Sequence, residues 1–95
     1  MYLLILLHLY EPSQSQELQT PYKDENLAIA VAEAQVAKIA AKGIDAYHNW
    51  NDDFRLSVVK LENGMKVKDS EIVWDSVKIS YAQAIELYNK VKITL

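Results

Sequence analysis

The chain has 95 residues, 51% of them hydrophobic, and its 13 acidic and 10 basic side chains give a formal net charge of −3 at pH 7. This length fits one domain over residues 1–95 with a small core, and mild acidity without a basic cluster argues against nucleic-acid binding. The absence of cysteine excludes disulfides, thiolate nucleophiles and cysteine metal sites, and it fits a cytoplasmic protein.

The first predicted element is the uncharged stretch MYLLILLHLY. It has neither the basic start and small-residue cleavage site of a secretion signal nor the roughly 20 apolar residues of a membrane helix, so we expect a strand. One face of that strand is aliphatic and consists of Leu3, Ile5, Leu7 and Leu9. The other face carries the ring side chains and consists of Tyr2, Leu4, Leu6, His8 and Tyr10.

Both faces of this strand are apolar, which is typical of a strand that is covered on its two sides. We expect the protein's own helices over the aliphatic face. So short a chain leaves little to cover the ring-bearing face, and we therefore predict that a second copy of the molecule lies there. A homodimer is the expected assembly.

A loop and a helix follow. Residues 11–23 are polar and bracketed by two prolines, which predicts a long polar loop. Residues 24–42 carry apolar side chains at helical spacing, with Asp24 as a candidate N-cap and Gly43 as a residue suited to end the helix. The many alanines in this helix let it lie close to a sheet.

The middle of the chain is predicted to form strands. Residues 44–50 indicate a short strand, and alternating apolar side chains indicate a better one over 54–62. The Asn-Gly pair at 63–64 is a strong hairpin signal, because both residues tolerate the positive φ of a type I′ turn. The returning strand is expected over 65–74, with a continuation toward Ile79.

The last element is a helix that begins at a capping box, with Ser80 as N-cap and Gln83 three residues later. The predicted order is β-α-(β)-β-β-α. We therefore predict an α+β fold, a two-layer sandwich in which two helices lie on one face of a three- or four-stranded sheet. The order resembles the ferredoxin-like arrangement in element order only, which implies nothing about function.

An alternation of oxygen-bearing side chains at Asn49, Asn51 and Asp53 resembles the ligand spacing of a calcium loop. The positions at which such a loop needs Gly and Glu hold Phe54 and Lys60 instead. We interpret residues 51–53 as a turn, since Asx residues are ordinary turn formers.

The only two histidines, His8 and His48, show no metal-ligand spacing. Acid–base chemistry would require the fold to bring them together, and for His8 a hydrogen-bonded, partly buried role is favoured. No serine lies in a nucleophile elbow, and with two glycines in the chain neither a Walker loop nor a dinucleotide fingerprint is possible. We predict no catalytic residue, no metal and no cofactor.

The remaining candidates are ring side chains that lie in predicted loops or flank the first strand. Tyrosine and tryptophan are enriched in protein interfaces, and a core role for most of these side chains is an equally good interpretation. The predicted partner or ligand surface consists of Tyr2, His8, Tyr10, Tyr22, Tyr47 and Trp50.

These observations predict a small, non-enzymatic cytoplasmic interaction protein that self-associates and binds a protein partner. One alternative is a small-molecule-binding protein or simple enzyme whose pocket forms on dimerisation. Another is a viral or mobile-element accessory protein that inhibits a host factor. Neither nucleic acid nor a membrane is expected among the partners.

Overall fold

A computed structural model describes residues 1–10, 16–61 and 71–94, with the backbone alone for residues 16–20 and 91–94. Within these ranges the chain forms four strands and three α-helices. In chain order the elements are β1 (Tyr2–His8), β2 (Gln16–Tyr22), α1 (Glu25–Ala40), α2 (Ile44–Asp53), β3 (Phe54–Lys60), β4 (Glu71–Asp75), a 3₁₀ helix (Ser76–Lys78) and α3 (Tyr81–Thr94).

The four strands form one antiparallel sheet in the order β2-β1-β3-β4. Strand β1 lies inside the sheet, because β2 pairs with one of its edges and β3 with the other. Along β1 and β3 the register runs without a break from Tyr2 opposite Lys60 to His8 opposite Phe54. The predicted class, a two-layer α+β fold with a four-stranded sheet, is confirmed.

The main core lies between the sheet and the helices. Strand residues Leu4, Leu56 and Val58 face inward there and are at most 1% exposed. Helix α1 supplies mainly alanines to this core, and small side chains let its backbone approach the sheet closely. The buried helix residues in this cluster are Ala28, Ala32, Val36, Ala40, Tyr47 and Ala84. All three helices therefore contact the same face of the sheet.

The helices cover the face of β1 opposite to the one we predicted. The core contains Leu4, with Tyr2 and Leu6 packed against it, so the ring-bearing face lies under the helices. The aliphatic residues Leu3 and Ile5 belong to the other side of the sheet. Period-two spacing separates the two faces of a strand, but it cannot say which one a helix covers when both are apolar.

The far side of the sheet is also buried. Leu3, Ile5 and Val59 are 3%, 8% and 4% exposed, and Leu7 and Leu61 pack against them. Among the residues that the structure describes, this cluster has no helical member. The middle of β1, from Leu3 to Ile5, is thus buried on both faces within one subunit, and its continuous apolar sequence does not by itself require a second copy.

Helix α1 begins as predicted and is followed by a second helix that we did not predict. The Asp24 carboxylate accepts a hydrogen bond from the Asn26 amide at 2.9 Å, which caps the first turn. Gly43 then adopts φ +119°, a backbone conformation that L side chains rarely adopt. The strand predicted over residues 44–50 is wrong, because α2 spans Ile44–Asp53 and includes the predicted turn at 51–53.

The loop predicted over residues 11–23 is wrong where β2 forms. Gln16–Tyr22 pairs with β1 although it contains Pro21, which an edge strand tolerates because its outer N–H groups need no strand partner. The predicted hairpin turn at 63–64 lies outside the described residues. Instead of continuing toward Ile79, the last strand ends at Asp75 and a 3₁₀ helix follows it.

Helix α3 begins at the predicted capping box. The Ser80 amide donates to Gln83 Oε1 at 2.8 Å, and the Gln83 amide donates to Ser80 Oγ at 3.2 Å.

None of the helices in the described ranges is long and apolar enough to cross a bilayer.

Candidate functional site: the open edge of β4

The two edges of the sheet differ in their capacity to bind another strand. Strand β2 contains Pro21, which has no amide hydrogen to donate. Strand β4, with the sequence EIVWD, contains no proline and pairs with β3 along one edge. No strand among the described residues pairs with its other edge, which we call the β4 edge. A strand in this position presents unpaired backbone donors and acceptors.

A groove of about 540 Å³ lies beside the β4 edge. Apolar and charged side chains both line it. The lining consists of residues 72–75 of β4 together with Arg55, Lys78, Ile79 and Gln83. We call it the β4 groove. Its volume is within the range that ligand and peptide sites occupy.

The shape of the groove depends on how the chain leaves β4. Asp75 caps the 3₁₀ helix, since its Oδ1 accepts a hydrogen bond from the Val77 amide at 2.9 Å. Ser76 is fully buried, and its Oγ accepts from the Leu56 amide of β3 at 2.9 Å. A serine hydroxyl thus continues the hydrogen bonding of β3 past the end of β4. These contacts fix the turn that carries Lys78 and Ile79 to the groove.

An ion pair lies at one end of the groove. The Arg55 guanidinium donates to the Asp75 carboxylate, and this hydrogen bond raises the pKa of Arg55. Asp75 is only 8% exposed and Arg55 is 35% exposed. The Arg55 Nε is buried and has no hydrogen-bond partner within the described part of the chain. Since this pair is neutral as a unit, Lys78 supplies the positive charge at the groove margin.

Half-exposed apolar side chains flank the same edge. Ile72 in β4 is 50% exposed and Val77 in the 3₁₀ helix is 54% exposed. The charged side chains next to them along the chain, Glu71 and Lys78, are exposed. The beginning of β4 therefore carries one apolar and one acidic side chain, and the 3₁₀ helix that follows β4 carries one apolar and one basic side chain.

The structure divides the six predicted surface residues between two ends of the sheet. Tyr2 and Tyr22 are partners in the β1–β2 register at one end, where partial burial and the nearby Glu25 carboxylate raise the pKa of Tyr2. His8 lies at the other end of β1, about 20 Å away at about 3.3 Å per strand residue. The predicted set therefore does not form one surface on a single subunit.

At the His8 end, ring side chains form a row that runs from the sheet to α2. His8 packs edge-on against Phe54 at 4.8 Å, and Phe54 stacks with Trp50 at 6.4 Å. Trp50 in turn lies 6.4 Å from Tyr47. Tyr10 extends beyond this row and is 73% exposed. Trp50, Tyr10 and His8 are the predicted site residues that share this end of the molecule.

Tyr47 is an interior residue. It is 1% exposed, burial raises its pKa, and its hydroxyl donates to the Ile79 carbonyl oxygen at 2.5 Å. A partner of the folded subunit cannot contact this side chain, so its placement in the predicted surface is corrected. Its contact joins α2 to the segment that forms the β4 groove.

The two histidines are not neighbours. His48 is exposed on α2 and its ring lies 6.3 Å from that of Tyr47, while His8 contacts Phe54. The rings of Phe54, Trp50 and Tyr47 separate them. Over the described ranges no group of three or more metal-ligating side chains is placed to hold a metal ion.

The β4 edge was not among the sequence candidates. Its signal is the short run EIVWD, which combines β-branched and aromatic residues and lacks the lysine or proline that commonly protects an exposed edge. That signal has meaning only once the strand order shows that β4 lies at an edge.

Comparisons with protein-family models, curated proteins and solved structures found no significant match for this chain.

Proposed function

We propose that the protein is a small, non-enzymatic interaction protein that binds an extended protein segment along the β4 edge. The observation that carries this proposal is a strand edge that no other described strand pairs with, beside a groove lined by apolar and charged side chains. In strand addition, backbone hydrogen bonds supply affinity and side-chain pockets supply specificity. The β4 edge offers the backbone hydrogen bonds, and the β4 groove offers the side-chain pocket.

The side chains around the edge favour a segment with alternating character. Ile72, Trp74 and Ile79 offer apolar area in the groove lining, and Ile72 is 50% exposed. Successive side chains of an added strand point to opposite sides, so alternate residues of the segment enter the groove. Lys78 at the margin favours a segment with an acidic side chain on that side.

Self-association and a cytoplasmic location belong to the same proposal. The support for self-association comes from the β4 edge, since the structure covers both faces of β1 without a second copy. The support for the cytoplasm is the absence of cysteine from the whole sequence. We propose an interaction protein that acts through backbone pairing.

Panning a library of random peptides tests the proposal. The protein is tethered at low surface density and washed, so that each copy is isolated from the others. Peptides that also bind the Ile72→Lys variant are then removed by counter-selection. A lysine in an edge strand is a common natural block to strand pairing. We expect selected peptides to be extended and apolar, and to bind Ile72→Lys at least about tenfold more weakly, which corresponds to about 1.4 kcal/mol.

Leu27→Lys is the matched control. Leu27 in α1 is 52% exposed and Ile72 is 50% exposed, so the two substitutions add the same charge at similar exposure. Selected peptides should bind Leu27→Lys as they bind the wild type. The proposal fails if no peptide is enriched, or if the enriched peptides bind both lysine variants equally well.

A further inference from the structure

We propose that the segment bound at the β4 edge is the β4 strand of a second copy of this chain, paired antiparallel about a two-fold axis. This inference rests on the proposed function, because it names the occupant of the same edge. Such a dimer would join two four-stranded sheets into one continuous sheet. The two-fold arrangement is the commonest symmetry of soluble homo-oligomers.

The distribution of side chains along the edge carries the inference. Glu71 and Ile72 lie at the beginning of β4, and Val77 and Lys78 follow its end. Glu71 and Lys78 are exposed, while Ile72 and Val77 are 50% and 54% exposed. The beginning of β4 is thus acidic and apolar, and the 3₁₀ helix that follows the strand is basic and apolar.

Antiparallel pairing brings the beginning of one β4 strand to the end of the other. We place the two-fold axis between Trp74 and Asp75, because in that register Glu71 of each copy lies near Lys78 of the other and Ile72 lies near Val77, at the start of the 3₁₀ helix that follows the strand. Because a two-fold interface is self-complementary, each contact occurs twice. Two opposite-charge contacts and two apolar contacts would flank the paired backbones.

Other arrangements of two copies are less favourable. Parallel pairing of two β4 strands would place Glu71 against Glu71 and Lys78 against Lys78, and like charges directly opposite each other are destabilising. Pairing through β2 would place Pro21, which has no donor, at the new interface. The opposite charges at the two ends of the β4 edge therefore select the antiparallel dimer.

The expected dimer is weak. Strand β4 has five residues, and its register with β3 shifts between Val58 and Val59. Such irregularities twist an edge strand and limit the length that pairs regularly. A short interface of this kind belongs to the low end of specific contacts, so we expect a dissociation constant on the order of micromolar.

Charge reversal tests the inference, with the dimer dissociation constant measured by sedimentation. Glu71→Lys and Lys78→Glu each turn two attractive contacts into repulsive ones and should each raise the dissociation constant by about tenfold at low salt. The double variant restores opposite charges in reversed order and should return within about threefold of the wild type.

Two controls separate the interface from other effects. Glu86→Lys and Lys38→Glu change the net charge by the same amounts at exposed positions in α3 and α1, and should leave the dissociation constant unchanged. Within one subunit Glu71 is opposite Lys60 in the β3–β4 register, so Glu71→Lys also creates a repulsion there. The double variant keeps that repulsion, and any recovery of the dimer must therefore come from the interface.

Each alternative outcome contradicts the inference. A wild type that stays monomeric at several hundred micromolar, while selected peptides still bind at the β4 edge, removes the second copy as occupant and leaves the proposed function intact. A dimer that neither single reversal weakens uses another surface. Weakening by both single variants without recovery in the double variant shows that the ends do not meet as proposed. Lys78→Glu, at an exposed position of the 3₁₀ helix, keeps the inference testable if Glu71→Lys does not fold, because a dimer that Lys78→Glu does not weaken contradicts it.

Discussion

At the scale of single residues, two buried serines of neighbouring segments provide a matched comparison. Ser76 is fully buried and accepts a hydrogen bond from the Leu56 amide, while Ser57 is 2% exposed and its Oγ has no hydrogen-bond partner among the described residues. Ser76→Ala leaves a buried amide unpaired, so we expect it to lower the free energy of unfolding by about 1–3 kcal/mol. Ser57→Ala removes an unsatisfied hydroxyl and should change stability by less than about 0.5 kcal/mol.

Urea denaturation of both variants measures these differences. Because Ser76 fixes the turn after β4, Ser76→Ala should also weaken peptide binding at the β4 groove, and Ser57→Ala should not. Equal destabilisation by the two substitutions would show that the Ser76 hydroxyl does not hold the Leu56 amide as the structure indicates.

Residue roles were predictable from the sequence where a local hydrogen bond defines them. Asp24 and the pair Ser80 and Gln83 are N-terminal capping residues, and the structure confirms all three. The roles of Tyr47 and Arg55 depend on residues far along the chain, Ile79 and Asp75. No sequence spacing indicates such contacts, and so the interior position of Tyr47 could not be foreseen.

At the scale of elements, Tyr47 joins α2 to the segment between the 3₁₀ helix and α3. Tyr47→Phe removes the hydrogen bond to the Ile79 carbonyl, and we expect it to lower the free energy of unfolding by about 1–2 kcal/mol at pH 7. Tyr10→Phe is the matched control, since Tyr10 is 73% exposed and should contribute nothing measurable.

The cost of Tyr47→Phe should depend on pH. Burial raises the pKa of Tyr47 above the ordinary tyrosine value of 10.0, so above about pH 10 the unfolded chain loses the phenol proton while the folded protein keeps it. The folded state then binds more protons, and stability falls as the pH rises. The contribution of the phenol is complete below pH 10 and is lost above it. Urea denaturation at pH 7 and at about pH 11 measures this, and the difference in free energy of unfolding between the wild type and Tyr47→Phe should be smaller at the higher pH.

Elements were predictable where their apolar pattern is long or alternates cleanly. Helix α1 and strand β3 are such cases, and their observed spans match closely. Helix α2 was missed because its ten residues carry one buried side chain, Tyr47, and the apolar spacing of three from Ile44 to Trp50 is too short a signal. Strand β2 was missed because it is polar and contains Pro21, and its pairing with β1 is a tertiary effect.

At the scale of the whole molecule, sheet topology decides which surface is free. The sequence indicated that β1 is covered on both faces, and burial of Leu3, Leu4 and Ile5 confirms this. It did not indicate that β1 is an interior strand or that β4 lies at an edge, because strand order depends on contacts between distant segments. The expected interaction surface therefore moves from β1 to the β4 edge.

The central claim is that the β4 edge pairs with another strand. The most direct test is amide hydrogen exchange of β4 measured at two protein concentrations. If the edge binds a second copy with a micromolar dissociation constant, the β4 amides that do not bond to β3 should exchange about sixfold more slowly at about 500 µM than at about 5 µM, because the fraction of free monomer falls by that factor. Helix α1 should exchange at the same rate at both concentrations. Exchange in β4 that is independent of concentration, while the protein dimerises, would contradict the account.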